Sequence, residues 1–319
     1  MIHAWTATPT QAQRTEPDAA CATLATGTDN VWLDFEGEDE AAVKRLLRPL
    51  GVHPLVLDDM VAQVNRPKVD DYGDYLYLVV HSARWERGEE RPSTREIDIV
   101  VGARALVTYH DGGTRSVTAA AAALAQRPEL LGKSPAHLLH YVLDVLVDHY
   151  LPIMDHIAEH VDALEEEVFQ SDGQDMYERI IHLKRGIAAM RRIVGPQRDT
   201  ILALTRDEFR SIPADMRPYL RDVYDRLARV SDLLDSFRDE IAGLLELHVS
   251  IVSNRMNEVM KRLTVIATIF MPLTVVTGYF GMNFQLAEFG WKHGELFALG
   301  VLGVTALATW WYLRARRWY

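Results

Sequence analysis

Two long uncharged runs near the C-terminus constrain this chain more than any other feature. Residues 263–283 read LTVIATIFMPLTVVTGYFGMN, preceded by Arg262, with no further charge until Glu288. Residues 296–313 read LFALGVLGVTALATWWYL and are followed by Arg314, Arg316 and Arg317. At ~1.5 Å per residue the first run extends roughly 30 Å as a helix, the thickness of a bilayer's hydrocarbon core. A soluble protein could bury such helices in its core. The flanking charges and the Trp310-Trp311-Tyr312 cluster, which suits a membrane interface, argue instead for two spans.

The first run is patterned. Asn257, Met260, Thr264, Ala267, Met271, Thr274, Gly278 and Gly281 recur at steps of three and four, which holds them on one helix face. Val, Ile, Leu and Phe fill the other faces. A stripe of small and polar residues is the usual signature of a tight helix–helix contact. It also suits the wall of a polar path. Two spans cannot enclose a pore, so the second reading requires several copies around an axis.

The run ends in Tyr279-Phe280-Gly281-Met282-Asn283-Phe284. Upstream lie Arg221-Asp222-Val223-Tyr224-Asp225, then Ser253-Asn254-Arg255-Met256-Asn257-Glu258-Val259-Met260, then ATIFMPLT over 267–274. With these motifs the chain resembles the CorA family of magnesium/cobalt transporters. The match is close over 218–318. It is looser toward the N-terminus, through Trp32-Leu33-Asp34, His53-Pro54-Leu55 and Arg66-Pro67-Lys68.

The resemblance implies an α+β cytoplasmic domain, a mixed sheet with helices, followed by a very long stalk helix and two C-terminal transmembrane helices. It implies a funnel-shaped homo-oligomer, a homopentamer whose first span lines the pore. The expected divisions are a flexible segment over 1–30, an α/β domain over 31–133 and long helices over 134–212. The stalk follows over 213–262, the first span over 263–284, an external loop over 285–295, the second span over 296–313 and a basic tail over 314–319. The implied activity is transport of Mg2+, with Co2+ or Ni2+ as further cargo, and not enzymatic catalysis. Two alternatives stand beside it: the related zinc-transporting ZntB branch, and a membrane-anchored sensor that binds metal without conducting it. The zinc branch varies the middle residue of the motif, so Met282 favours magnesium.

Magnesium gives up its first-shell waters reluctantly. A filter can therefore hydrogen-bond those waters through neutral groups. Gly281, Met282 and Asn283 are the implied filter, with Asn283 supplying a ring of carboxamides around the axis. Neutral ligands hold an ion loosely enough to release it inward. Below them, Met271, Leu263 and Met260 would form apolar constrictions that gate by dewetting, although Leu263 equally suits coiled-coil packing. Cytoplasmic Mg2+ is implied to close the pore by bridging subunits, and the matching acids are Glu86 and Asp222. Glu288 would concentrate cations at the mouth. Here the chain departs from the family: the loop reads Leu286-Ala287-Glu288, lacking the proline of the usual Met-Pro-Glu.

Charge and periodicity complete the picture. The net charge is −11, and the acidity lies ahead of residue 263, which speaks against nucleic acid as a partner. The one cysteine, Cys21, excludes an internal disulfide. The first thirty residues lack a basic stretch followed by an apolar one, so no leader peptide is expected. Basic residues before the first run and after the second predict cytoplasmic termini and an external loop in the inner membrane, with lipid and other copies of the chain as partners. Residues 31–35, 75–81, 96–101 and 104–109 read as strands and 38–50 and 54–62 as helices, with a hairpin turn at Gly102-Ala103. No phosphate-binding glycine loop follows a strand, so no nucleotide is expected.

Residues 134–169 and 175–209 read as long helices, with Ser134 as an N-cap and a perturbation near Gly195-Pro196. From Tyr219 the helical pattern runs unbroken through the first span, ~95 Å at helical rise. His149, His156 and His160 share one helical face among acids. Without an HExxH pattern they read as a solvated, charge-laced surface.

Overall fold

The computed structural model describes residues 1–27, 29–85, 92–169, 174–206, 209–282 and 292–316. They fall into two units, Met1–Leu245 and Glu246–Tyr319.

In the N-terminal unit the described residues form seven strands: β1 (Ile2–Thr8), β2 (Gln11–Thr15), β3 (Asn30–Glu36), β4 (Lys68–Asp71), β5 (Tyr75–Arg84), β6 (Ser93–Gly102) and β7 (Ala105–His110). They make one mixed sheet in the order β2-β1-β3-β7-β6-β5-β4. Only β3 and β7 run parallel; the remaining neighbours are antiparallel. The β6–β7 hairpin turns through residues 103–104, one residue from the expected turn. The central strands are buried on both faces, which explains their near-continuous Val, Ile and Leu content.

The described residues among 1–30 are a correction. They are not a flexible segment: β1 and β2 extend the sheet as a hairpin, and α1 (Pro17–Thr26) returns the chain to β3. The stretch IHAWTAT holds one branched aliphatic residue, Ile2, beside His3, Ala4 and Ala7, and pairing with β3 fixes it as a strand. Trp5 lies directly across from Trp32, and their rings stack at 4.5 Å.

Helices α1, α2 (Glu40–Leu47) and α3 (Pro54–Ala62) bury Ala20, Val43, Leu47 and Leu57 against Val31, Leu33, Phe35, Val79 and Val107 of one sheet face. The Asp39 carboxylate caps α2 by accepting from Ala42 N–H at 2.8 Å. Four further helices follow: α4 (Arg115–Gln126), the short α5 (Glu129–Gly132), α6 (Pro135–Asp148) and α7 (Leu151–Glu167). Ser134 stands before α6 in extended backbone, but its hydroxyl pairs with His137 Nδ1 at 2.8 Å and caps no backbone N–H. Gly132 is required by close approach, since a Cβ there would lie 2.1 Å from the Thr8 carbonyl oxygen.

Helix α8 (Gln174–Arg206) continues through Pro196 without a break. After Pro213 and one turn of 3-10 helix, α9 (Arg217–Phe280) runs for 64 residues, with Pro218 in its first turn and Pro272 in its interior. Helix α10 (Gly294–Ala315) follows. The apolar windows of α9 and α10 have mean hydropathies of 1.8 and 1.7, and each is only 6 % buried. Apolar surface of this extent, left uncovered by the chain itself, belongs against lipid or other protein.

Candidate functional site

Within the C-terminal unit the expected lining residues Asn257, Met260, Leu263, Thr264, Ala267, Met271, Thr274 and Gly278 are all exposed. Ile266, Phe270 and Val275, outside that set, are exposed too, so exposure alone does not select a lining. Shape does. Leu263, Thr264, Ala267 and Met271, with Thr268 and Pro272, line one apolar concavity along α9. Asn257, Met260, Thr274 and Gly278 lie outside it. Thr268 and Pro272 were not singled out from the sequence, although each continues the i, i+4 row that begins at Thr264.

The threonines of this helix share one arrangement. The Thr264 hydroxyl donates to the Met260 carbonyl and the Thr274 hydroxyl to the Phe270 carbonyl, each at 2.8 Å. Thr268 donates to Thr264 O at 2.7 Å. A hydroxyl that gives its proton to the preceding turn presents oxygen lone pairs outward. Pro272 adds a carbonyl, because it has no N–H to donate to Thr268 O. One face of the helix thus offers acceptor oxygens spaced among methyl and thioether groups.

The helix ends at Phe280, where Gly281 N–H donates to Thr277 O at 2.9 Å. A Cβ on Gly281 would lie 3.1 Å from that same carbonyl, whereas one on Gly278 would meet open space. Gly281 and Met282 are exposed. Asn283 and Glu288 lie outside the described residues, as does Glu86.

In the N-terminal unit, Asp222 sits near the start of α9 with its side chain 71 % exposed. Its Oδ2 lies 3.2 Å from Arg226 Nη2. The same guanidinium donates to Asp148 of α6 at 2.5 Å and also bonds Asp144. Burial works against the Arg226 charge, but the bond to Asp144 and the neighbouring acids outweigh it and raise its pKa. The sequence shows the Asp222–Arg226 spacing; it does not show the two α6 acids, which come from a distant part of the chain. As a divalent-cation ligand, Asp222 fits in its exposure, while Arg226 competes for one of its oxygens.

The strand that leads to Glu86 is held tightly. Among the described residues, β5 has no strand partner on its β4 side beyond Val79. Side chains satisfy the backbone there: Gln197 Oε1 accepts from His81 N–H at 2.7 Å, and Tyr150 O–H donates to His81 O at 2.6 Å. Gln197 Nε2 donates to Tyr150 Oη at 3.1 Å. The His81 imidazole lies opposite Glu96 at 3.9 Å, too far for a hydrogen bond. Burial therefore prevails over that carboxylate and lowers its pKa to about 4. Trp85, just before Glu86, packs edge-on against His156 of α7. A Cβ on Gly186 of α8 would come within 2.4 Å of the Trp85 ring.

His156 and His160 stand 4.2 Å apart, ring centre to ring centre. His160 Nδ1 pairs with His156 O, and His149 Nδ1 with Val145 O. Among the described residues no group of three or more His, Cys, Asp or Glu could hold a metal ion.

Comparison with known proteins gives a consistent result. The family model described as "CorA-like Mg2+ transporter protein" matches residues 27–317. The chain is 32 % identical over 290 residues to the cobalt/magnesium transport protein CorA of Thermotoga maritima, covering 90 % of this chain and 83 % of that one. The structure of the CorA magnesium transporter of Methanocaldococcus jannaschii superimposes with a TM-score of 0.85 at 17 % identity, covering 100 % of this chain and 99 % of that one. The ZntB cytoplasmic domain of Vibrio parahaemolyticus superimposes with a TM-score of 0.63 at 19 % identity, covering 80 % of this chain and 98 % of that one.

Proposed function

This chain belongs to the CorA family of divalent cation transporters, and we propose that it imports Mg2+ through a pore lined by α9 from several copies, five by family resemblance. Co2+ and Ni2+ are further cargo. The pore crosses the inner membrane, with both termini in the cytoplasm. The observation that carries this reading is the concave face of α9: Leu263, Thr264, Ala267 and Met271 share it, and the chain itself leaves it uncovered.

The chemistry follows from the ion. A hydrated Mg2+ carries donor hydrogens on its waters, and the outward lone pairs of Thr264 and Thr274 are acceptors for them. Asn283 presents a neutral carboxamide at the mouth, where Gly281 admits the backbone closely. No carboxylate is needed in the path, so the ion is held weakly enough to move on. Met271 and Leu263 narrow the path with apolar groups and close it when water leaves.

Regulation uses the acids outside the membrane. Asp222 and Glu86 would hold a regulatory Mg2+ between neighbouring copies, and the ion offsets the repulsion of the two carboxylates. Magnesium must then bind the closed form better than the open one. Asp222 and Met271 belong to the one helix α9, which carries the change from sensor to gate.

The test is flux into liposomes holding the purified protein, measured for Mg2+, Co2+ and Zn2+ with and without a pH gradient. Saturable Mg2+ entry is the expected result. Zn2+ entry driven by the pH gradient without Mg2+ entry would assign the chain to the zinc-carrying branch. Absence of flux for all three ions would leave a membrane-anchored sensor.

A further inference from the structure

A cavity of about 250 Å³ lies in the N-terminal unit. Its wall carries Arg84, Arg95, Arg115 and His149, and no acidic side chain lines it among the described residues, with the Glu36 carboxylate close by Gly113. The segment Asp111-Gly112-Gly113-Thr114-Arg115-Ser116 crosses one side and opens α4. Gly112 has φ +87°, the left-handed region that favours glycine. Arg95 Nη1 donates to Gly113 O at 2.5 Å, which fixes the turn.

The start of α4 is unfinished. Thr114 occupies the N-cap position in extended backbone, where its hydroxyl should accept from a first-turn N–H, yet it makes no such bond. The first-turn N–H groups of a helix have no partner within the helix. Two hydroxyls beside them are also unsatisfied: Thr114 Oγ1 and Ser116 Oγ are buried without a hydrogen-bond partner. Thr114 is 3 % exposed and Ser116 2 %, and both line the cavity. Buried hydroxyls left unpaired carry a desolvation cost that native structures rarely tolerate. Arg115 makes no ion pair among the described residues.

Helix N–H groups, two buried hydroxyls and the Arg115 guanidinium all suit the same complement, an anion rich in acceptor oxygens. We propose that this cavity binds a small phosphate-type oxyanion, seated on the N-terminus of α4 and held by Thr114, Ser116 and Arg115, with Arg84 and Arg95 around it. Size narrows the ligand class. Sites for drug-sized molecules run from roughly 300 to 1,000 Å³, so this cavity suits inorganic phosphate or the head of a phosphate monoester and not a whole nucleotide. The site lies beside Arg84 and Trp85, which lead directly to Glu86.

The experiment is calorimetric titration of the full-length protein in detergent, free of divalent cations, with potassium phosphate against potassium chloride at matched ionic strength. Glycerol phosphate in a second arm separates a monoester from free phosphate as the better ligand; saturation by either supports the site. One saturable site per chain is expected. Thr114→Val with Ser116→Ala should weaken it by roughly tenfold or more, the usual worth of hydrogen bonds to a charged ligand. Arg115→Gln, at an exposed position that leaves folding intact, should weaken it similarly. Heats no different from chloride, or binding unchanged in both variants, would overturn the assignment.

Discussion

The Asp222 carboxylate and the Arg226 guanidinium meet at 3.2 Å, one turn apart on α9, and Arg226 simultaneously holds Asp144 and Asp148 of α6. Any cation that uses Asp222 must compete with Arg226. Replacing Arg226 with Gln should free the carboxylate and shift magnesium inhibition of flux to lower concentration. A partly exposed pair is worth about 1 kcal/mol, or roughly fivefold in concentration. Asp222→Ala should move the curve the other way. The check is the internal Mg2+ dependence of flux in both variants; equal curves would place the sensor elsewhere.

A second prediction concerns pH. His81 is buried and resists protonation, with a pKa lowered to about 4 by desolvation. The unfolded chain takes up this proton near pH 6.5, so the unfolded state binds more protons between those values. Stability should fall as pH drops from about 6.5 toward 4, by at most about 3 kcal/mol from this group. His81→Gln should remove that part of the acid sensitivity. Thermal unfolding of both proteins at pH 6.5 and 4.5 measures it, and parallel losses would mean that His81 is not responsible.

The third concerns the orientation of α9. If the stripe of small and polar residues looks inward, cysteines at Thr264, Met271 or Thr274 in a Cys21→Ser background should crosslink between copies under mild oxidation. Cysteines at Ile269 or Phe270 should not. Crosslinks confined to the second set would turn the helix around and make the stripe a lipid-facing or α10-facing surface.

How much of this was legible beforehand follows from what each feature depends on. Helix α9 was, because its signals are local: Pro213 ahead of it, Pro218 in its first turn, helical periodicity along it, and Gly281 after it. Strands β5, β6 and β7 were, because both of their faces are buried and the sequence is correspondingly apolar. The β1–β2 hairpin was not, because Ala4, Thr6 and Ala7 become strand residues only through pairing with β3. The Asp222–Arg226 step could be read on one helix, whereas Asp144 and Asp148 are brought to it by packing. The α4 cavity was hidden for the same reason. Gly112-Gly113 reads as an ordinary turn until Arg84, Arg95 and His149 arrive from β5, β6 and the end of α6.

The central claim is that this protein conducts magnesium past the Gly281-Met282-Asn283 segment. Its most direct test is Mg2+ flux into liposomes by the wild-type protein and by Asn283→Ala, each first shown to have the same oligomeric size. The account predicts saturable uptake by the wild type and loss of that uptake in Asn283→Ala with assembly intact. Near-normal magnesium flux through the assembled variant would contradict it.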